Sequence, residues 1–450
     1  MYQAYVCQIK NLRDHPNADR LFIGECFGNT VAVSRTGYTP NMIGVYFPTD
    51  GQLSVEFAEY NNLLRKKDAE GNQIGGYMDP DKRNVTAIRL RGEKSDGLFL
   101  PLSCLDYCFE DGAAAHLNIG DTITVVNGHD ICTKYIPRTN HRSSSGPKGN
   151  KTRKHTAPIA PLFAEHADTE QLAYNLEAFK PGDEVEITLK MHGTSQRTGY
   201  LPKLVKMHRT LLDKILKRPG TPVYDWGYVT GTRRVVLNDF DGGFYGSNAF
   251  REQHAKVFEG KLWKGESVYY EVVGFTDSGV PIMSDGNNKK LNDKEFVKKY
   301  GDITRFSYGC SPSGCPVSDI YVYRMTMTNE DGNVVEYTPD FMRYRCEQMG
   351  VKTVPIFWKG IIPAHTADEA AIRLGQDAGA WIKEKAEEYY DGPDPVGKTH
   401  IREGVVVRIL NKPKFTAYKH KNFAFKVLEG IIKESAAAPD MEEEQEIKEV

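Results

Sequence analysis

Short apolar or alternating runs dominate the first 133 residues, and turn residues separate them. The runs predict strands in six places: Tyr5–Ile9, Leu21–Gly24, Thr30–Val33, Gly44–Phe47, Ala87–Leu90 and Thr122–Val126. Many short strands at this spacing are typical of a small closed barrel. The pattern therefore predicts a β-barrel domain in residues 1–133.

The later part of the chain mixes helical and strand periods. Leu172, Leu176 and Phe179 share one face of a predicted helix over Asp168–Phe179, and a second helix is expected over Asp368–Tyr390. Together with the strands, these helices predict an α+β fold.

A predicted strand leads to the first residue of chemical interest. After the turn at Pro181–Asp183, the apolar residues Val185, Ile187 and Leu189 alternate with polar ones and predict a strand that ends at Lys190. The side chain of Lys190 is therefore expected where a strand gives way to a turn.

Length and composition suggest two domains. The 450 residues exceed the usual size of one hydrophobic core, and 40% hydrophobic and 26% charged residues are ordinary values for a soluble protein. No apolar run approaches the roughly 20 residues needed to cross a bilayer, and the N-terminus is unlike a signal peptide. We therefore expect a cytoplasmic protein without a membrane partner.

Eight cysteines are scattered along the chain, which is unlike the dense pattern of a disulfide-stapled domain. Cys310 and Cys315 could form half of a zinc site. Their spacing is unusual and no second pair follows, so free thiols are the preferred interpretation.

Charge is distributed unevenly. Residues 134–156 are predicted to be a basic linker: Lys134 to His155 contain seven Lys or Arg residues and no acid. This segment is either a solvated connector or a contact for a phosphate backbone. Residues 434–450 are predicted to be a disordered acidic tail, and without their net six negative charges the chain, at −2 overall, would carry +4. That balance permits a nucleic-acid partner without requiring one.

The strongest local signal is Lys190–Ser195, with the sequence Lys-Met-His-Gly-Thr-Ser. A lysine at a strand end, followed by a glycine turn, can place an amine where the backbone approaches a nucleotide closely. Alone the signal is weak, because such tetrapeptides occur by chance and most lysines after strands are solvated.

Five later segments give the signal its specificity. They are Gly231–Arg234, Tyr269–Gly274, Tyr321–Arg324, Arg402–Arg408 and Tyr418–Asn422. In kind and order the series resembles the motifs of the covalent nucleotidyltransferases, which include DNA ligases, RNA ligases and mRNA capping enzymes. The resemblance implies a nucleotidyltransferase domain over residues 157–433, built on antiparallel sheets with flanking helices.

The resemblance also implies roles for the charged residues. Lys190 would attack the α-phosphate of ATP, forming a lysyl-AMP and releasing pyrophosphate. Lys419 and Lys421 would hold the phosphates and favour the neutral amine that attack requires. Glu271 and Glu403 would bind Mg²⁺ or Mn²⁺, since two carboxylates form a hard-oxygen site.

The remaining matches concern nucleotide binding. Tyr323 would stack on adenine, and Arg233 would bind near the ribose or the RNA 3′ end. His192 and Gly193 complete the nucleotide site that the resemblance implies. From the residues alone, Glu403 could instead be a surface acid, Tyr323 a core aromatic and Arg233 a salt-bridge partner.

Two features narrow the resemblance to RNA ligases. His192 stands where DNA ligases have an aspartate, whereas this histidine is typical of nick-sealing RNA ligases, so contacts made by that aspartate are not carried over. DNA ligases and capping enzymes place an OB domain after the last lysine motif, but only 29 residues follow Lys421. We therefore expect an OB-type barrel upstream, in residues 1–133.

The N-terminal segments His15–Leu21 and Arg91–Gly97 resemble OB modules that bind tRNA beside several synthetases. That resemblance implies that RNA contacts a set of basic residues: Arg20, Arg89, Arg91 and Lys94. On the residues alone, the two segments are a turn before a strand and a basic hairpin.

The sequence thus predicts an ATP-dependent RNA ligase that joins an RNA 3′-OH to a 5′-phosphate, with a nicked RNA duplex as its substrate and a monomer as the expected state. Alternatives are a DNA ligase, a capping guanylyltransferase and a non-catalytic RNA-binding protein with a decayed ligase core. Intact Lys190, Glu271 and Glu403 argue against decay.

Overall fold

The computed structural model describes residues 2–71, 74–136, 157–166, 169–216, 218–237, 240, 247–363 and 378–434. The chain has a mixed α/β fold rich in sheet and forms two compact units. The N-terminal unit comprises residues Met1–Thr139, Lys289–Asp293 and Phe423–Pro439, and the core unit comprises the rest.

The N-terminal unit consists mainly of short strands. They are β1 (Ala4–Gln8), β2 (Lys10–Asp14), β3 (Leu21–Cys26), β4 (Asn29–Ser34), β5 (Ile43–Phe47), β6 (Gly51–Leu53), β7 (Asn84–Val85), β8 (Ala87–Leu90), β9 (Glu93–Asp96), β10 (Leu98–Pro101), β11 (Thr122–Ile123), β12 (Val125–Val126), β13 (His129–Asp130) and β14 (Cys132–Lys134). Helix α1 (Val55–Tyr60) follows β6, and Ser54 caps it by accepting a hydrogen bond from Phe57 N–H. Alternate side chains of β1 and β5 share a hydrophobic core with Phe57.

These strands pair as several small sheets. The orders are β10-β5-β1-β11, β2-β3-β4, β14-β6-β7, β8-β9 and β12-β13. The six predicted strand positions are confirmed, although Thr122–Val126 is divided into two strands. Across the described residues up to 136, the sheets do not close into a barrel, so the predicted OB-type barrel is not confirmed.

The core unit contains longer strands and several helices. The strands are β15 (Glu170–Gln171), β16 (Glu184–Lys190), β17 (Thr194–His208), β18 (Thr221–Gly231), β19 (Val236–Leu237), β20 (Glu266–Gly274), β21 (Gly286–Asn287), β22 (Ile303–Thr304), β23 (Ser318–Thr328), β24 (Val334–Glu336), β25 (Lys352–Thr353), β26 (Ile356–Ile361), β27 (Gly404–Ile409) and β28 (Thr416–Lys421). The helices are α2 (Leu211–Ile215), α3 (Ala249–Lys256), α4 (Lys294–Tyr300), α5 (Pro339–Met349) and α6 (Ala378–Tyr390).

Two sheets form the framework of the core unit. The lysine sheet has the order β15-β28-β27-β16-β26 and carries Lys190, Lys419 and Lys421. The long sheet has the order β19-β18-β17-β20-β23-β24, with β25 also paired to β23. The strand that was predicted to end at Lys190 is confirmed.

Alternation along β16 and β27 determines which side chains reach the site. Apolar residues of both strands, with Ile382 of α6, form one buried core on one face of the lysine sheet. The intervening residues, such as Glu186 and Lys190, therefore point to the opposite face. A cavity lies on that face.

The helix predicted over Asp168–Phe179 is wrong. Glu170–Gln171 is a strand that pairs in parallel with Tyr418–Lys419, and short 3-10 turns follow at Leu172–Tyr174 and Leu176–Ala178. Leu172 and Phe179 are buried, as the pattern suggested, but the backbone of residues 170–171 pairs with a distant strand. Tertiary pairing overrides the local helical period here.

The second predicted helix is confirmed over Ala378–Tyr390, and its earlier part falls outside the described residues. Residues 137–156 of the predicted linker and residues 435–450 of the predicted tail also lie outside them. All eight cysteines are free, with Cys310 buried and Cys315 exposed. Among the described helices, none has the length and apolar character of a membrane span.

The last described helix, α7 (Phe423–Glu434), belongs to the N-terminal unit. Its side chains Phe423, Phe425 and Leu428 are buried, and Lys426 Nζ lies 2.6 Å from Asp96 Oδ2 on β9. Helix α7 therefore completes the N-terminal unit, although it starts directly after β28 in sequence.

Candidate functional site

The cavity lies between the two large sheets of the core unit. It contains about 880 Å³ of space outside protein atoms, part of it open to solvent. Among the residues predicted from sequence, Lys190, Arg233, Glu271 and Tyr323 line it. Strands from both sheets thus bring together residues that lie far apart in sequence.

A buried carboxylate organises the cationic side of the site. Oε1 of Glu403 lies 2.7 Å from Nζ of Lys190 and 3.4 Å from Nζ of Lys421. Oε2 lies 3.5 Å from Nδ1 of His192, and the Glu403 side chain is only 2% exposed. Four predicted site residues therefore meet at one point, and Glu403 is not the surface acid that the alternative interpretation suggested.

The charge state of Glu403 follows from this setting. Burial alone would raise the pKa of its carboxyl, but the positive charges of Lys190 and Lys421 and the nearby His192 outweigh burial and hold the pKa well below its ordinary value. Glu403 is therefore a carboxylate at neutral pH.

Glu403 also provides a test of metal binding. Its buried Oε2 has no hydrogen-bond partner among the described residues, which is the kind of atom that a cation or water satisfies. The same residues contain no cluster of three or more His, Cys, Asp or Glu side chains able to hold a metal. This donor set fits Mg²⁺ or Mn²⁺, because such ions commonly bind one or two carboxylates together with substrate phosphates and water.

A side chain from a distant segment of the core unit holds the turn after Lys190. The backbone N–H of His192 donates a hydrogen bond of 2.6 Å to Oη of Tyr308. At Gly193, a Cβ atom would lie 2.5 Å from the carbonyl oxygen of Val272 and 2.8 Å from Cγ of Glu271. Glycine is therefore required by close packing against β20, beside Glu271.

Tyr308 is unusual in both its backbone and its surroundings. Its φ is +48°, a left-handed conformation that is costly for a bulky residue, and its side chain is buried. Its ring packs edge-on to His400, with centroids 4.6 Å apart, and Nδ1 of His400 hydrogen-bonds to the carbonyl of Ile401 at 2.9 Å. Burial, reinforced by the charge of Asp394, raises the pKa of Tyr308 well above its ordinary value, so it remains a neutral phenol.

The register of the lysine sheet places the other predicted lysine. Lys419 pairs with Val406 and Lys421 with Gly404 on β27, so the two lysines point to the same face. Val406 lines the cavity. Lys419 is therefore on the cavity side of the sheet, two residues from the Glu403 cluster.

An aromatic group forms another part of the cavity wall. Tyr323 is half-buried, its Oη lies 3.1 Å from Oγ of Ser195, and its ring centroid lies 5.1 Å from that of His166. The rings of His166 and Phe415 are 5.6 Å apart. Tyr323 thus lies at the cavity surface and not in the hydrophobic core.

Arg233 is positioned through the backbone of its own segment. The buried side chain of Arg197 donates hydrogen bonds to the carbonyls of Thr232, at 2.9 Å, and Arg234, at 3.0 Å. The N–H of His166 donates to the carbonyl of Arg233 at 3.2 Å. Arg233 is among the residues that line the cavity.

Several lining residues were missed from sequence. Glu186, which is 3% exposed, lies 2.8 Å from Nη1 of Arg343, and Arg408 donates to the carbonyl of Tyr337 at 3.1 Å. Burial raises the pKa of Glu186 although Arg343 opposes the shift. Glu186 and Arg408 could have been found from sequence, because each is a charged residue at an alternate position of an otherwise apolar strand. His166, Phe415 and Tyr308 had no comparable signal.

The basic residues predicted to bind RNA lie in the N-terminal unit, and they fall into two groups. Arg89 forms an ion pair of 3.4 Å with Asp293 and lies over the ring of Phe423, as does Lys94. Arg20 and Arg91 are exposed.

The two segments that resemble tRNA-binding modules contact each other. Nε2 of His15 lies 3.0 Å from the carbonyl of Leu90, and the side chain of Asn17 donates to the carbonyl of Arg91 at 3.0 Å. His15–Leu21 therefore holds the β8–β9 hairpin in place, and His15 has a structural role in this contact.

Comparisons with known proteins give a consistent fold. No family model matches the sequence, and no curated protein matches it. A variant of Naegleria gruberi RNA ligase with ATP and Mn aligns with a TM-score of 0.52 and 16% identity, covering 94% of this chain and 98% of that chain. The same ligase with PPi aligns with a TM-score of 0.52 and 17% identity over 94% and 97%. An apo variant gives a TM-score of 0.53 and 18% identity over 94% and 97%. The chain therefore has a fold similar to that of Naegleria gruberi RNA ligase along nearly its whole length.

Proposed function

We propose that this chain is an ATP-dependent RNA ligase that carries AMP transiently on Lys190. The observation that carries the proposal is the Glu403 cluster, in which a buried carboxylate lies beside Lys190, Lys421 and His192 at the cavity between the two sheets. The similar fold of an RNA ligase, whose structures were solved with ATP, AMP, Mn and PPi, supports it.

In the first step, the base of ATP would stack on Tyr323 near His166 and Phe415, with the α-phosphate toward Lys190. The neutral amine of Lys190 attacks the α-phosphorus, and an N–P bond forms as the bond to the bridging oxygen breaks. Pyrophosphate leaves with the electron pair of that bond. Lys421 and Lys419 neutralise the charge that accumulates on the leaving group.

Glu403 has two tasks in this scheme. In the structure its carboxylate lies 2.7 Å from the Lys190 amine and holds it in position beside the cavity. Glu271 and Glu403 would bind a divalent cation, which supplies neutralisation of the phosphates when bound.

The later steps would use RNA. AMP passes from Lys190 to an RNA 5′-phosphate, the RNA 3′-OH then attacks that phosphate, and AMP leaves. The histidine at position 192 supports nick sealing, as in RNA repair, through its resemblance to nick-sealing ligases. We propose residues 1–133 as an OB-type RNA-binding domain, 134–156 as a linker, 157–433 as the catalytic domain and 434–450 as the tail.

The test is incubation of the full chain with α-labelled ATP and Mg²⁺ or Mn²⁺, followed by denaturing electrophoresis. The wild type should retain an acid-labile label, Lys190→Ala should lose it completely, and Lys180→Ala, which alters an exposed lysine ten residues earlier, should label normally. Undiminished labelling of Lys190→Ala would refute the assignment. Labelling by GTP instead of ATP would favour a capping-type enzyme.

A further inference from the structure

Strands β17 and β18 extend beyond the sheet that contains them. Residues Thr194–Gly199 of β17 pair with β20, whereas the later residues of β17 pair with β18 alone among the described strands. We call residues 201–227, which include helix α2 at the turn, the ribbon. At about 3.3 Å per residue, the eight residues from Leu201 to His208 reach about 25 Å beyond β20.

The ribbon is strongly basic. Residues 201–227 contain six Lys or Arg and two Asp. Four of the cations, Lys203, Lys206, Arg209 and Arg218, have exposed side chains. In the part of the chain that the structure describes, no carboxylate lies within ion-pair distance of these four; Lys203 and Arg209 bond to backbone carbonyls of Tyr228 and Pro219.

The tip of the ribbon presents aliphatic side chains. Leu211, Leu212, Ile215 and Leu216 are 78%, 67%, 77% and 50% exposed. The tip is nevertheless fixed by a reciprocal cap, in which Oγ1 of Thr210 accepts from Asp213 N–H and Asp213 accepts from Thr210 N–H. Ordered exposure of four large apolar side chains marks an interaction surface.

Both ends of the ribbon lead to the cavity. Ser195, near the start of β17, and Arg233, two residues after β18, line it. A polyanion that follows the basic ribbon is therefore guided toward Lys190. Two of the exposed cations, Lys203 and Lys206, lie on β17, and Arg209 and Arg218 flank helix α2 at the tip. Positive charge is therefore spread along the ribbon, which suits contact with the regularly spaced phosphates of a nucleic-acid backbone.

We propose that the ribbon is a docking arm for the RNA duplex that flanks the ends to be joined. Its cations contact phosphates, and its aliphatic tip lies against sugars and base edges, which the wide, shallow minor groove of an RNA duplex exposes. The proposal rests on the proposed ligase function and adds to it a substrate-binding surface outside the cavity.

The experiment measures binding of a fluorescent nicked RNA duplex to the full chain at salt concentrations between about 50 and 200 mM. A charge variant combines Lys203→Ala, Lys206→Ala, Arg209→Ala and Arg218→Ala. A matched control removes four other exposed lysines of the core unit: Lys180→Ala, Lys256→Ala, Lys294→Ala and Lys298→Ala. A third variant combines Leu211→Ser and Ile215→Ser at the tip.

The charge variant should bind the duplex about tenfold or more weakly, with a salt slope smaller by about two to four, because each lost phosphate contact removes about one unit of slope. The control should bind like the wild type. The tip variant should weaken binding without changing the slope. AMP labelling should be normal in all three, since no altered residue lines the cavity.

Equal duplex binding by the charge variant and the control would overturn the proposal and point to a protein partner for the tip. If the tip variant bound the duplex as tightly as the wild type, the aliphatic side chains of the tip would not contact RNA, and that part of the proposal would be wrong. Failure of the wild type to label with ATP would refute the ligase function instead. The binding assay would still judge the ribbon, so the two failures can be distinguished.

Discussion

The cavity and the ribbon share strand β17, but their charged side chains are arranged differently. Those in the cavity form ion pairs, and those on the ribbon are exposed to solvent. In the cavity, Lys190 lies 2.7 Å from Glu403, and Glu186 lies 2.8 Å from Arg343. On the ribbon, the four exposed cations have no carboxylate partner among the described residues. Strand β17 joins the two regions.

Burial explains the difference. A buried charge is costly unless it is paired, so cavity charges are fixed in position by their partners. An exposed charge can remain solvated until a ligand arrives. Phosphoryl transfer requires fixed positions, whereas binding of a polyanion requires mainly charge. Changes in the cavity should therefore alter rates, and changes on the ribbon should alter affinity and its salt dependence.

The largest effect of a conservative change is expected for Glu403→Gln. Loss of this carboxylate should slow AMP loading by about tenfold or more, which is at least about 1.4 kcal/mol of transition-state stabilisation, because it organises Lys190 and Lys421. The rate of labelling at saturating metal is the measurement. The control is Glu266→Gln, which also breaks a buried ion pair, that with Arg345 at 2.8 Å. If Glu403→Gln lost RNA affinity but labelled normally, the expectation that changes in the cavity alter rates and changes on the ribbon alter affinity would be wrong.

Glu403→Gln should also change stability in a pH-dependent way. Because the pKa of Glu403 in the folded chain is below its ordinary value of 4.5, its stabilising contribution is present above that pH and is lost as pH falls through the folded value. Thermal unfolding followed from neutral to acidic pH should therefore show a smaller acid loss in Glu403→Gln than in the wild type.

A smaller effect is expected for Tyr308→Phe, which keeps the ring on His400 but removes the acceptor of His192 N–H. We expect labelling to slow by about tenfold with little change in the KM for ATP, since an unsatisfied buried N–H costs about 1–3 kcal/mol and the turn after Lys190 loses its anchor. Tyr270→Phe is the matched control, because it loses a buried hydrogen bond of 2.9 Å to Thr198 outside the cavity. Equal rates in the two variants would reduce Tyr308 to a packing residue.

Local patterns predicted the parts of the site that lie in regular strands. Alternation placed Lys190 at the end of β16. Lys419 and Lys421 were named through the resemblance to the motif series, and the structure shows that both lie on one face of β28. Tyr308 could not be found in this way, because it reaches His192 across 116 positions from a segment without a recognisable motif. The same limitation explains the wrong helix, since pairing of Glu170 with Tyr418 has no local signature.

The N-terminal unit shows which part of a fold sequence periodicity cannot predict. Alternating residues correctly indicated where strands occur, since each strand has its own buried face. Pairing and closure depend on contacts between distant strands, which periodicity does not encode. Helix α7 is another long-range element, because its residues group with the N-terminal unit. A chain that begins at residue 157 would leave α7 without its partners, so substitutions in the full chain test the N-terminal unit more cleanly.

The smallest effects are expected for the four basic residues of the N-terminal unit. Arg89 and Lys94 contact other side chains, whereas Arg20 and Arg91 are exposed, so the two pairs can be compared. Arg89→Ala with Lys94→Ala should lower thermal stability slightly, by about 1 kcal/mol or less, because the pair contacts Phe423 and Arg89 bonds to Asp293. Arg20→Ala with Arg91→Ala, both exposed, should leave stability unchanged and weaken duplex binding less than the ribbon variant does. The measurements are thermal unfolding and duplex binding at several salt concentrations. If Arg89→Ala with Lys94→Ala weakened binding more than the exposed pair at unchanged stability, these residues would be RNA ligands despite their internal partners. Pairing would then not separate structural from binding charges on this protein.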